Sequence, residues 1–265
     1  MIDSHCHLEY MDSDMVVREA MQRKMTAIVT SIADIKDKEK VLQLHKKYPS
    51  FVFACMGFHP ENMKDYHDKD ITEYIEFIRE NKSLVSAIGE NGLDYNWTTQ
   101  ADDQQRSRDI FQKFIDLSKE LHLPLVIHSR NGRDNKEGSN DGIGDAINML
   151  IENDCKHVMM HCFSGSESQL KKCLEQGWMI SFATLVCKSF KHQRLASLVS
   201  LDKMLLETDS PWLDPDAPRG ASELTNRPWK IEKSAEVIAT IKNTTKEEIL
   251  QKTTENAKRF FGMNI

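Results

Sequence analysis

Residues 2–8 read IDSHCHL, one apolar residue followed by Asp3, His5 and His7 alternating with Ser4 and Cys6. If a strand continues through this stretch, the three polar side chains share one face. In the first strand of a barrel that face is the interior. Two imidazoles at this spacing can grip one divalent ion, with Zn–N distances of about 2.0–2.1 Å. Taken alone, His-x-His fits ordinary solvated or core histidines as well, so the rest of the chain has to decide.

Working outward, an apolar run that ends in a ligand-type residue recurs along the whole sequence. Glu90 follows Gly89 in IGENGLDY (88–95), His128 lies in VIHSR (126–130), His161 in MMHCFSG (159–165) and Asp209 in LLETDSPWL (205–213). Groups so far apart in sequence meet only if the fold gathers strand ends on one rim, as at the open end of a parallel barrel. A single strand-end histidine is usually packed or hydrogen-bonded; the conjunction on strands one, four, five, six and eight is hard to assign to packing.

Strands are expected at Ile2–Ser4, Ala27–Ser31, Phe51–Met56, Leu84–Ile88, Leu125–His128, Val158–His161, Met179–Phe182 and Met204–Glu207. Between them lie segments with apolar residues at helical spacing, such as Phe111, Phe114, Ile115, Leu117 and Leu121. Alternation of this kind predicts an α/β fold, a TIM-type (β/α)8 barrel, with residues 1–265 forming one domain. Two loops stand out, 130–142 and 214–228. Both follow strands that carry a candidate ligand, and each is read either as a lid or as a tolerated surface insertion.

The net charge of −6, from 35 Lys and Arg against 41 Asp and Glu, argues against a broad basic surface for nucleic acid. If phosphate is the substrate, bound metal must supply much of the positive field. No apolar run approaches the roughly 20 residues that span a bilayer. The start MIDSHCHL lacks the basic and apolar regions of a signal peptide, so a cytoplasmic protein is expected. The six cysteines show no Cys-x-x-Cys spacing and are read as reduced.

The segments IDSHCHL, CMGFHP, IGENGLDY, LPLVIHSR, MHCFSGS and LLETDSPWL together resemble the TatD family of metal-dependent deoxyribonucleases, within the amidohydrolase-type barrel superfamily. The resemblance runs from Ile2 to NAKRFFG (256–262), and the ordered set of motifs is specific. It implies a divalent metal pair held by His5, His7, Glu90, His128, His161 and Asp209. It also implies hydrolysis of DNA phosphodiesters, often from the 3′ end toward the 5′ end, with His59 near the scissile phosphate. His59 can equally be read as a turn histidine before Pro60. This chain departs from the family pattern at Asn91, usually small or apolar, and at Thr225, where a basic residue is common.

On this reading Glu90 bridges two cations and Asp209 orients or deprotonates the attacking water, so these two carry catalysis. Mixed histidine and carboxylate ligation accommodates Zn, Mn, Co or Fe, and Mg less readily. Glu207 and Asp3 can each brace a ligand histidine or serve structure alone. Arg130 offers a guanidinium fork for phosphate, as Arg219 and Arg227 do in the last loop. Trp212 can stack a terminal base or simply cap the barrel mouth. The expected partner is DNA or a short oligonucleotide, with no membrane and no obligate protein partner.

Two other readings compete. One is a barrel hydrolase acting on amides, lactones or other phosphoesters; such relatives commonly bridge their metals with a carboxylated lysine on strand four, and LVSAIGENGLD contains no lysine. The other is a nonenzymatic binding protein on an inherited barrel, which the loss of a ligand would have suggested.

Overall fold

A computed structural model describes residues 1–218 and 224–265. Eight strands, β1 (Ile2–Cys6), β2 (Ala27–Ser31), β3 (Val52–Met56), β4 (Val85–Asp94), β5 (Leu125–Arg130), β6 (Val158–Met160), β7 (Met179–Phe182) and β8 (Met204–Leu206), pair in chain order, each parallel to the next. The helices are α1 (Ser13–Gln22), α2 (Lys38–Lys47), α3 (Asp68–Glu80), α4 (Ala101–Leu121), α5 (Gly142–Glu152), α6 (Glu167–Glu175), α7 (Phe190–Leu198), α8 (Ile231–Lys242) and α9 (Lys246–Phe260). Parallel neighbours need crossover connections, and helices supply them. The result is the expected (β/α)8 barrel.

Period-two alternation divides the core. Ile2, Ala27, Val29, Cys55, Ala87, Val126, Met159, Met179 and Leu205, at least one from every strand, pack inside the barrel. Phe260, Phe261 and Met263, at the end of α9, join them as its floor. Intervening residues such as Ile28, Ala54, Ile88, Ile127 and Ile180 face the helical layer. The interior is packed at that end, which leaves the opposite end, where the strands finish, for chemistry.

The seam between β8 and β1 closes there. The His7 N–H donates to the Ser210 carbonyl at 2.8 Å, and the Asp209 N–H donates to the His5 carbonyl at 3.1 Å. Ser4 Oγ donates to the Leu206 carbonyl at 2.8 Å, and Asp3 Oδ1 accepts the Thr208 N–H at 2.9 Å. Asp3 is therefore a clasp between the first and last strands, and it is fully buried.

The largest departure from the expected elements is β4, which runs six residues beyond Ile88, to Asp94. Gly89 and Gly92 hid this extension by interrupting the apolar pattern, yet they are what permits it. Their φ angles are +156° and +145°, and a Cβ would meet the Val126 carbonyl oxygen at 2.4 Å and the His128 carbonyl oxygen at 2.0 Å. Only glycine lets β4 pass so close to β5. The β4–β5 register shifts between Ile88 and Asn91, and the Gly89–Glu90 peptide is cis.

Helix starts follow their caps. Asp12 accepts the Met15 N–H at the start of α1, and Ser189 accepts the His192 N–H at the start of α7. All six cysteines are free. Among the described residues, no helix is long and apolar enough to cross a membrane.

Candidate metal centre

His5 sits within β1 and Glu90 within β4, whereas His7, His161 and Asp209 lie just past the ends of their strands. The chain turns sharply at Asp209, where φ is +55°. All six candidate ligands nevertheless converge. Glu90 Oε2 lies 3.2 Å from His5 Nε2 and 3.4 Å from His7 Nε2. Its other oxygen, Oε1, lies 2.8 Å from His128 Nδ1, 3.4 Å from His161 Nε2 and 3.5 Å from His59 Nε2. Asp209 Oδ1 stands 3.5 Å from His7 Nε2 and 3.8 Å from His5 Nε2.

The far nitrogen of each imidazole fixes its orientation. His7 Nδ1 faces Glu9 Oε1 at 3.3 Å, His5 Nδ1 faces Ser31 Oγ at 3.0 Å, and His161 Nδ1 is 2.9 Å from Glu207 Oε1. The Glu207 contact is an ion-pair distance with the carboxylate off the ring N–H line, so Nδ1 makes no well-directed hydrogen bond. A proton held on Nδ1 by a carboxylate leaves Nε2 with a bare lone pair. In His7, whose Nδ1 meets Glu9, that lone pair points at Glu90 Oε2, which has no hydrogen-bond partner at all; the Nε2 of His161 faces Oε1. Lone pair facing lone pair is a stable arrangement only around positive charge.

Charge bookkeeping says the same. Asp3, Glu9, Glu90, Asp94 and Glu207 are buried, and among the described residues no Lys or Arg pairs with any of them through its side chain. Buried unpaired carboxylates are costly. The polypeptide alone can answer by protonating carboxyls, as burial pushes that of Asp3 well above the usual range, or by protonating imidazoles. Burial opposes protonation of His161, but Glu207 and Glu90 lift its pKa to about 9. Burial likewise opposes His128, which Asp94 and Glu90 raise to about 10. Burial favours the neutral form of Glu90, yet the surrounding His161, His59, His5 and His128 hold it well below the usual carboxylate range. A divalent cation would meet the same demand, so the donor set fits metal. Three sets have ligand atoms close enough to share an ion: His5, His7 and Glu90; His5, His161 and Asp209; and His59, Glu90 and His128.

His59 differs from the others. It precedes Pro60, and its Nδ1 accepts the Glu61 N–H at 3.2 Å, so the neutral ring carries its proton on Nε2, toward Glu90. Burial and His128 push its pKa down to about 3. A neutral ring in this tautomer donates a hydrogen bond and offers no lone pair there.

The centre opens into a cavity of 520 Å³, whose lining includes His59, Arg130 and Trp212. Trp212 packs edge-on against His7, ring centroids 5.1 Å apart. Arg227 is turned back on its own loop, its guanidinium bonded to the Leu224 and Asn226 carbonyls, and Arg219 lies outside the described residues. Thr225 Oγ1 donates to Asp214 Oδ2 at 2.5 Å, so it pins the base of that loop. Asn91 points away from the cluster: its Nδ2 donates to the Ile88 carbonyl at 3.1 Å and approaches the Val126 carbonyl at 3.4 Å.

Sequence reasoning missed Glu9 and Asp94. Asp94 Oδ2 accepts from His128 Nε2 at 2.9 Å, so both nitrogens of that ring face carboxylates. The signal was alternation carried further: Asp3, His5, His7, Glu9 in one segment and Glu90, Gly92, Asp94 in the other. His45, His67, His122, His157 and His192 lie outside the cavity.

The sequence model of the family described as TatD related DNase matches residues 2–262. The human protein named deoxyribonuclease TATDN3 is 31% identical, aligned over 98% of this chain and 94% of its own. The Bacillus subtilis protein named uncharacterized metal-dependent hydrolase YabD is 34% identical over the full length of both. Among solved structures, the TatD homologue YJJV of Escherichia coli K12 superposes with a TM-score of 0.85 at 23% identity, covering 99% of this chain and 98% of the other. A whole-length family match and full-length relatives above 30% identity lead to one conclusion: the chain belongs to the TatD-related DNase family of metal-dependent hydrolases.

Proposed function

We propose that this chain hydrolyses DNA phosphodiesters with two divalent cations, removing nucleotides from the 3′ end. The observation that carries the reading is the division of Glu90 between two groups of imidazoles, His5 and His7 at one oxygen and His128 and His161 at the other. A carboxylate so divided suits a bridge between two ions. His5, His7 and Asp209 would complete one site, and His128 and His161 the other. The relatives named as deoxyribonucleases supply the substrate class.

When bound, such ions polarise a phosphoryl oxygen and lower the pKa of water from 15.7 toward about 7. The protein does the rest. Asp209 is 20% exposed at its side chain, against 3% for Glu90, so it can reach a water in the cavity and hold or accept its proton. His59, its Nε2–H turned toward Glu90, would stand beside the phosphate, and Arg130 at the rim would offer a fork to phosphate oxygens. Glu9, Glu207 and Asp94 keep the imidazoles in register.

The test is digestion of end-labelled single-stranded DNA after exhaustive chelation and after restoration with Zn, Mn, Co, Fe or Mg separately. A simple phosphodiester and a lactone panel run beside it. Activity on DNA that depends on metal and is lost in Glu90→Ala supports the reading. Turnover of lactones or amides with intact DNA would replace it with the amidohydrolase alternative, and metal binding with no turnover of any substrate would leave a binding protein.

A further inference from the structure

Three Tyr, Trp or Phe side chains stand broadly exposed among the described residues: Tyr10 at 45%, Trp97 at 49% and Phe190 at 88%. Two of the three, Tyr10 and Trp97, line the metal cavity. They come from strand ends separated by two strands, Tyr10 in the turn after β1 and Trp97 in the connection after β4.

The Tyr10 ring and the Trp97 backbone are each anchored to the candidate metal centre. Trp212 meets Tyr10 edge-on, centroids 5.1 Å apart, and meets His7 the same way. On the other side, Asp94 Oδ1 accepts the N–H of Asn96 at 2.9 Å and of Trp97 at 3.3 Å, while Oδ2 accepts from His128. The connection that presents Trp97 is thus fixed by the same carboxylate that orients His128. Rings presented at the rim from a fixed base, a ring partner for Tyr10 and a pinned backbone for Trp97, with about half their surface in water, suit stacking on a planar ligand.

The cavity wall offers phosphate little else. Among its described lining residues Arg130 is the sole Lys or Arg, against Glu61, Glu90, Asp94 and Asp209. Beyond what bound metal would contribute, affinity that cationic side chains do not supply can come from the bases.

We propose that Tyr10 and Trp97 determine substrate specificity, each stacking one of the unpaired terminal bases that flank the scissile phosphate. The proposal rests on the nuclease reading above. It demands an unpaired end, because successive bases in a duplex cover each other's faces and cannot spread onto separate rings. It also predicts tolerance of base identity, since every base has a π face.

The experiment uses the full chain loaded with metal. Steady-state kinetics are measured on single-stranded oligothymidine and on methyl p-nitrophenyl phosphate, which carries no base. Binding is measured separately, by quenching of tryptophan emission with a phosphorothioate-linked oligothymidine. Stacking of one base corresponds to a factor of about 5 to 150 in affinity. Trp97→Ala and Tyr10→Ala should each raise KM for the oligonucleotide at least fivefold. The ratio of kcat/KM between oligonucleotide and small diester should fall by the same factor. Tyr10→Phe, which keeps the ring, should restore wild-type values, and Phe190→Ala should change nothing. Oligonucleotide cleavage with KM and quenching unaltered in the alanine variants overturns the stacking proposal alone. A wild-type protein that cleaves the small diester and neither binds nor cleaves the oligonucleotide overturns the nuclease reading along with it.

Discussion

Glu207 Oε1 lies 2.9 Å from His161 Nδ1 and also accepts the backbone N–H of Cys162 at 2.8 Å. A fully buried carboxylate is thereby committed to one ring nitrogen, and the opposite nitrogen is left facing Glu90. Glu207→Gln places an amide donor beside Nδ1 and favours the tautomer with its proton on Nε2. Metal affinity, followed by calorimetric titration, should fall about 10- to 100-fold. An unchanged affinity would mean that Glu207 serves structure alone.

Asp209 is the carboxylate through which catalysis would report most cleanly. Asp209→Asn keeps shape and removes the proton acceptor, so kcat on end-labelled single-stranded DNA should fall by about 10²- to 10⁴-fold, with cooperative unfolding retained. A wild-type rate in this variant would remove Asp209 from the mechanism.

Asn226 is fully buried, and its Nδ2 donates to the Trp212 carbonyl at 2.6 Å and the Thr208 carbonyl at 2.9 Å, with Thr184 Oγ1 at 3.0 Å. These bonds hold the segment that carries Asp209. Asn226→Ala removes this donor from the Trp212 carbonyl and leaves the Thr208 carbonyl only the Thr184 hydroxyl at 3.2 Å, and should cost about 1–3 kcal/mol in urea unfolding. A loss below about 0.5 kcal/mol, the range of ordinary surface changes, would contradict that role.

His192 gives a pH signature remote from the metal centre. It is buried, with Ser164 Oγ 2.9 Å from Nε2 and Ser189 Oγ 2.7 Å from Nδ1, and burial together with Lys191 lowers its pKa to about 4. The unfolded chain takes up this proton near pH 6.5 and the folded protein only near 4. Unfolding therefore binds a proton in that window, and stability falls as the pH drops through it, by at most about 1.4 kcal/mol per pH unit for one group. Above 6.5 and below 4 this contribution is flat. Thermal unfolding of wild type and His192→Gln across pH 7 to 4 should show the shallower slope in the variant; parallel slopes would exclude His192 as the source.

Much of this was legible in the sequence because barrel chemistry sits where strands stop, and an apolar run ending in His, Glu or Asp marks such a place. Eight strands and six converging ligand positions followed from that pattern and from the family motifs. What stayed hidden depended on backbone conformation. Gly89 and Gly92 look like the end of β4 and in fact carry it onward to Asp94, whose role with His128 was therefore not foreseen. Glu9 falls beyond the strand that justified alternation, in a short 3-10 turn, and still reaches His7. Trp212 is open to two readings from sequence, a base-stacking ring or a cap on the barrel mouth; it lines the cavity with its ring edge-on to both His7 and Tyr10, and the more exposed Tyr10 is visible only once the turn after β1 is known.

The central claim is that Glu90 stands between two cations held by imidazoles from separate strand ends. Anomalous diffraction from crystals grown with Zn or Mn and recorded at the metal edge tests it most directly. Two peaks should flank the Glu90 carboxylate, one within bonding distance of His5 and His7 and the other of His128 and His161. A single peak, or metal bound away from Glu90, would contradict the account.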